Sequence, residues 1–221
     1  MLENKKAVIF DLDGTLVDSM WMWKAIDLEF LSKKGVVIPE DIRKFQDELE
    51  GMGFTETACF FKERFHLADP VEEIKNTWIL MAEDKYCNQV PLKPGAGEFL
   101  EALKKRDLLI GISSSNSQEL IRTVLKAHKI EEYFNCITTC CQVPAGKPAP
   151  DVYLETARGL GISPADCLVF EDVPMGILAG KRAGMKVCAV EDDYSKGQEK
   201  QKRELADWYI QDYYEVLGEC L

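Results

Sequence analysis

Histidine is nearly missing from this chain. His66 and His128 are the only two in 221 residues, and both lie in charged, helical stretches. Histidine-based acid–base or nucleophilic chemistry is therefore a poor expectation. No apolar run approaches the roughly 20 residues that a membrane-spanning helix needs. Lys5-Lys6 precede only a handful of apolar residues before Asp11, too few for the h-region of a secretory signal. Basic charge is scarce as well: 27 Lys and Arg stand against 38 Asp and Glu, a formal net charge of −11. That balance argues against nucleic acid or an anionic membrane surface as the main partner. Cys59, Cys87, Cys136, Cys140, Cys141, Cys167, Cys188 and Cys220 are scattered, and the adjacent Cys140-Cys141 has no second pair at zinc spacing. They read as reduced thiols of a cytoplasmic protein.

What the chain does have is order in its alternation. Ala7–Phe10 reads as a short buried strand. Residues 19–88 then show a helical pattern without a convincing strand. Within them Pro39 suits the N1 position of a helix Pro39–Glu50, Thr55–Phe65 is a second candidate, and Asp69-Pro70-Val71-Glu72 reads as a capping box with Pro at N1. From Val90-Pro91-Leu92-Lys93-Pro94-Gly95 onward, helix and strand alternate. The strands are expected at Leu108–Ile112, Cys136–Thr139, Cys167–Phe170, Lys186–Val190 and Trp208–Ile210. Such alternation implies right-handed crossovers and a parallel sheet covered on both faces. The expected fold is α/β, a doubly wound parallel sheet (1–18 and 90–221) with an inserted all-helical cap domain (19–89). Glu191–Glu204, rich in charge, is expected as a solvated loop or surface helix.

In such a sheet ligands bind beyond the carboxyl ends of the strands. The first strand ends in Asp11 and Asp13, and Leu108–Ile112 ends in Ser113-Ser114-Ser115-Asn116-Ser117. Cys167–Phe170 ends in Glu171-Asp172, and the loop after Thr139 carries Gly146-Lys147-Pro148. Carboxylates, hydroxyls and one lysine thus meet at one edge. Phosphoryl transfer is mostly positioning plus neutralisation of charge on oxygen. Asp11 and Asp172 can give a magnesium ion carboxylates, Asp13 a backbone carbonyl, and Glu171 a further oxygen. Lys147 can hold a phosphoryl oxygen and the Asp11 carboxylate. Ser113 can donate to a phosphoryl oxygen, with Ser114 and Asn116 beside it as substrate contacts. Asp11 is then a nucleophile and Asp13 an acid and later a base. Plainer readings exist for each. Asn116 and Glu119 form a possible capping box, Asp172 a possible N-cap, and Gly176, Ala179, Gly180 and Ala183 read as close packing on the sheet.

These stretches resemble the four motifs of the haloacid dehalogenase superfamily: Asp11–Ser19, Ile112-Ser113, Gly146–Asp151 and Phe170–Gly176. The helical insert is similar to the α-helical cap of the β-phosphoglucomutase and phosphoglycolate-phosphatase subgroup. The resemblance implies Mg²⁺, an aspartyl-phosphate on Asp11 and acid–base work by Asp13. It also implies a small phosphorylated substrate, no nucleic-acid or membrane partner, and a monomer or weak dimer. Mutases of this type carry a cap histidine five residues after an aspartate, where this chain has Trp23. They also carry a cap arginine for a distal phosphate, where it has Phe54 in Gly51-Met52-Gly53-Phe54. Hydrolysis of a small phosphomonoester is therefore expected before mutase activity or a non-catalytic binding role, although another cap cation such as Lys75 could stand in for the arginine. Trp21, Trp23, Met52 and Phe54 are expected to form an apolar substrate face.

Overall fold

The computed structural model describes residues 1–37 and 42–218, with the backbone alone at 42, 43 and 47. Pro39, expected to open the second insert helix, and Cys220 lie outside the described residues. The order of elements is β1 (Ala7–Phe10), then four helices, α1 (Met20–Lys33), α2 (Ile42–Leu49), α3 (Phe54–Arg64) and α4 (Val71–Asn88). There follow α5 (Ala96–Lys105), β2 (Leu109–Ser114), α6 (Gln118–Ala127), β3 (Cys136–Thr139), α7 (Asp151–Leu160) and β4 (Cys167–Glu171). The chain ends through α8 (Pro174–Arg182), β5 (Lys186–Val190), α9 (Glu199–Leu205), β6 (Trp208–Ile210) and α10 (Tyr214–Leu217).

The six strands form one parallel sheet in the order β3-β2-β1-β4-β5-β6. The fold is therefore α/β and doubly wound. The order turns at β1, so the crevice between the ends of β1 and β4 is where such a sheet binds ligands. Successive strand side chains face opposite ways. Phe10, Ile112 and Phe170 stand level and pack with Phe99 and Leu120 on one face. Ile9 and Val169 pack with Val152, Ala157 and Ile177 on the other. Each fully buried side chain of this size contributes about 1.5–3 kcal/mol.

The insert has its own aromatic centre. Phe30, Phe61 and Trp78 meet edge to face at 4.9–6.2 Å, a geometry worth about 0.5–1.5 kcal/mol per pair beyond burial. This centre is continuous with the Phe10 face of the sheet, and α4 packs along α6. The segments that enter and leave the insert run side by side, with the Asp18 N–H donating to Pro91 O (3.0 Å) and the Lys93 N–H to Leu16 O (2.9 Å). Among the described residues no helix is long and apolar enough to cross a membrane.

Four local expectations need correction. β2 continues to Ser114 because Ser113 and Ser114 pair with Thr138 and Thr139 of β3. α6 is capped by Ser117, whose Oγ accepts the Leu120 N–H at 3.2 Å, so Asn116 is released from the expected capping box. At α4, Pro70 takes the N-cap position, and the Asp69 carboxylate is drawn to Lys34 Nζ (2.6 Å) instead of capping. The charged stretch 191–204 is not all solvated. Lys202 is fully buried, its Nζ donating to Val190 O (3.0 Å) and Ser195 Oγ (2.8 Å).

Candidate active site

β1 is apolar throughout and ends on Asp11, whose N–H still pairs with Phe170 O at 3.0 Å. The next residues must turn under Asp172. Gly14 does so at φ +84, and a Cβ there would collide with the Asp172 carboxylate, so only glycine fits. Thr15 Oγ1 then donates to Asp172 Oδ1 at 2.9 Å. Lys147 is buried between two acids, its Nζ donating to Asp11 Oδ1 (2.6 Å) and Glu171 Oε1 (2.5 Å). Burial pulls its pKa down, but the two carboxylates outweigh this and hold it well above its ordinary range. Burial pushes the Asp11 carboxyl up to about 8, with the Glu171 charge adding to the rise and Lys147 opposing it. Asp172 is raised well above the ordinary carboxylate range by burial and by the Glu171, Asp192 and Asp11 charges.

Oxygens of Asp11, Glu171 and Asp172 lie within 4.8 Å of one another. Glu171 is already occupied: it accepts from Lys147, Tyr153 Oη (2.7 Å) and the N–H groups of Asp172 (3.0 Å) and Val173 (3.4 Å). Asp172 Oδ2, in contrast, is buried without a partner. An orphaned carboxylate oxygen beside a second carboxylate raised by burial and, further, by a neighbouring charge fits a hard cation, which takes oxygen ligands. Asp172 was also open to the reading of an N-cap. The structure gives that position to Val173, which leaves Asp172 facing the cluster.

Asp13 stands apart from this cluster and faces the insert. Its Oδ1 accepts from Ser19 Oγ (2.5 Å), Tyr86 Oη and Trp23 Nε1 (3.4 Å), and its Oδ2 from Asn116 Nδ2 (2.8 Å). Trp23 and Asn116 also donate to Tyr86 Oη, at 3.0 and 2.8 Å. Tyr86, near the end of α4, carried no sequence signal. It becomes a site residue only because α4 packs on α6 beside the end of β2.

Ser113 is a correction. The pleat turns it toward α7, where it is fully buried and shares a 2.7 Å hydrogen bond with Thr156 Oγ1. Ser114, one residue on, lines the pocket instead. The pocket has a volume of about 180 Å³. Asp11, Asp13, Asn116, Lys147 and Asp172 line it from the sheet, and Trp23, Met52 and Phe54 from the insert. Trp21 does not line it: the ring is 45% exposed and its Nε1 donates to Asp18 O at 3.0 Å. Lys75 pairs with Glu72 (2.9 Å) and lies outside the pocket, so it cannot replace the cation missing at Phe54.

Loop 50–54 closes the pocket onto the sheet. Glu50 Oε1 accepts the Met175 N–H (3.1 Å) and its Oε2 the Gln198 amide (2.8 Å), while the Phe54 N–H donates to Ser115 O (2.7 Å). Gly51, at φ +86, passes so close to Lys147 that a Cβ would lie 2.5 Å from its carbonyl oxygen.

A family model described as haloacid dehalogenase-like hydrolase matches residues 8–190. The chain is 33% identical over 193 residues to a β-phosphoglucomutase of Bacillus subtilis, covering 81% of this chain and 80% of the relative. It is 29% identical over 185 residues to hexitol phosphatase B of Escherichia coli, covering 83% and 82%. The solved structure of CbbY from Rhodobacter sphaeroides in complex with phosphate has the same fold, with a TM-score of 0.84 at 22% identity over 96% of both chains.

Proposed function

The chain belongs to the haloacid dehalogenase-like hydrolase family, and from that premise we propose that it hydrolyses a small phosphomonoester through an aspartyl-phosphate on Asp11. The observation that carries this reading is the placement of Asp11, paired with Lys147, and Asp13, held by other partners, in one pocket. Residues 1–18 and 90–221 act as the catalytic domain and 19–89 as its cap.

Asp11 and Asp172, with Glu171 behind them, would hold a Mg²⁺, which would supply positive charge for the phosphoryl oxygens and keep both carboxyls ionised; the Asp13 carbonyl is a further candidate ligand. Lys147 fixes one Asp11 oxygen, leaving the other to attack. The new Asp11 O–P bond forms as the ester P–O bond breaks, and Asp13 gives its proton to the leaving oxygen. Water then attacks phosphorus and yields its proton to Asp13, and the Asp11 O–P bond breaks. The net reaction is ester plus water to alcohol plus phosphate. Ser114 positions the phosphoryl group, in place of the role expected of Ser113, while Asn116, with both amide hydrogens given to Asp13 and Tyr86, acts through the acid instead of as a direct substrate contact. Trp23 and Phe54 wall the leaving group and exclude water.

The β-phosphoglucomutase relative supports a second reading, transfer of phosphate back to a sugar. It requires a grip on a second phosphate, and Phe54 with its buried ring offers none. Measuring phosphate release and isomerised sugar phosphate in one Mg²⁺-containing assay separates the two. Free phosphate without a bisphosphate primer, lost in Asp11→Asn, supports hydrolysis. Primer-dependent isomerisation without release overturns it.

A further inference from the structure

Asp27 and Trp78 line the same pocket at its insert end, and the chemistry above uses neither. Asp27 lies one helical turn beyond Trp23 on α1, about 6 Å further from the reacting centre along the helix axis. Trp78 comes from α4 and is 2% exposed, yet its indole Nε1–H has no hydrogen-bond partner. Among the described residues the Asp27 carboxyl makes no hydrogen bond either. Gln46 of α2 and Thr57 of α3 complete this end of the pocket. A buried donor left unmade is costly, so a ligand that satisfies it gains affinity.

We propose that Asp27 and Trp78 form a specificity subsite that selects phosphomonoesters whose far end carries hydroxyl groups. The inference rests on the phosphatase reading of the same pocket. The chemistry is one of matching needs. The indole N–H requires an acceptor, and the carboxyl requires a donor, or both a donor and an acceptor while protonated. A hydroxyl supplies each. Burial raises the Asp27 carboxyl to about 8, which favours a neutral tail. A second phosphate would meet Asp27 and Glu50, with Lys24 as the one cation on the described insert wall. An ammonium tail would suit the Asp27 carboxylate and the aromatic walls, but it leaves the Trp78 donor unpaired.

The test follows phosphate release by the full chain with Mg²⁺ from a hexitol 6-phosphate, phenyl phosphate, phosphoethanolamine and a hexose 1,6-bisphosphate. The expected wild-type order places the hexitol phosphate first by kcat/KM. Its advantage over phenyl phosphate falls roughly 30-fold in Asp27→Leu, which removes both donor and acceptor, and roughly 10-fold in Trp78→Phe, mainly through KM, as lost hydrogen bonds to a substrate hydroxyl predict. An unchanged ratio in both variants, or a wild-type preference for the amine or the bisphosphate, overturns the subsite. Asp11→Asn losing all four substrates supports the phosphatase reading separately. Should wild type release phosphate from none, that reading fails, and calorimetric titration of the hexitol 6-phosphate still decides the subsite. Binding about 10-fold weaker in Asp27→Leu supports it, and equal or absent binding overturns it.

Discussion

Two buried polar atoms among the described residues lack a partner, and they sit at opposite ends of one pocket. Asp172 Oδ2 is at the strand tips and Trp78 Nε1 is in the insert. The first is an acceptor among acids and calls for a cation. The second is a donor among rings and calls for an oxygen. Two carboxyls at the same ends, Asp11 and Asp27, are each raised to about 8, for different reasons. At Asp11 burial and the Glu171 charge outweigh Lys147, whereas at Asp27 burial acts alone. On the proposed reading the tips serve reaction, with crowded charges that offset one another, and the insert serves selection, with sparse groups open to a ligand.

The sharpest way to break this contrast is at the tips. Asp11→Asn is expected to lower phosphate release by roughly four orders of magnitude or more, since it removes the nucleophile. Residual turnover within about tenfold of wild type would remove the reactive role from the tips altogether. Asp13→Asn is expected to cost about 10²–10⁴ in kcat, and Tyr86→Phe, which loosens Asp13 from the insert, about tenfold. Steady-state kinetics on one good substrate reads both, and an unaffected Asp13→Asn would leave no acid at the tips.

The corrected serine gives the next largest effect. Ser114→Ala is expected to lower kcat/KM about 10- to 100-fold. Ser113→Ala should leave activity within about threefold while costing about 1 kcal/mol of stability through the lost bond to Thr156. The reverse pattern would restore the assignment made from sequence.

Asp27 sharpens the contrast through stability. A carboxyl raised from its ordinary value favours the folded state fully below about pH 4, and that contribution is lost as pH rises toward 8. Asp27→Asn is therefore expected to stabilise the protein at pH 8 by about 1–2 kcal/mol, a Tm gain of a few degrees, after allowance for its partial exposure. The gain should vanish near pH 4. A loss of stability at pH 8 would mean that Asp27 is structural.

Asp207, far from either end, calibrates the scale. Despite its burial, hydrogen bonds from Lys181, Lys186 and the Val187 N–H hold its carboxyl down at about 2. Its contribution is present above about pH 4 and lost as pH falls through 2. Asp207→Asn should therefore cost about 1 kcal/mol at pH 7, after screening, and nothing below pH 2. Acid unfolding curves of the two proteins should converge there.

The alternation of strands and helices was legible because a parallel sheet imposes apolar runs of fixed length, and the tips of β1 and β4 because chemistry restricts what can stand there. Ser113 was misplaced because a run of three serines hides which one the pleat turns inward. Tyr86, Asp27 and Trp78 were not legible at all. Each lies on a helix whose rotation is set by packing, through contacts between residues as distant in sequence as Tyr86 and Asn116. Lys202 was misjudged because a charged run is usually solvated, and only the folded loop shows that Ser195 and Val190 shelter its ammonium group.

The four donors around Asp13 come from different parts of the chain. Asn116 belongs to the sheet and Ser19 to the point where the insert begins, whereas Trp23 and Tyr86 stand on the insert's own helices. If the insert swings away, half of the acid's support goes with it. Competence and confinement are then one event. A substrate too large for the insert to shut over would find the nucleophile but an ill-held acid, so its rejection would come as slow turnover rather than as weak binding. Fidelity of this kind would need no second checking site, because the proton would be withheld until the chamber closed.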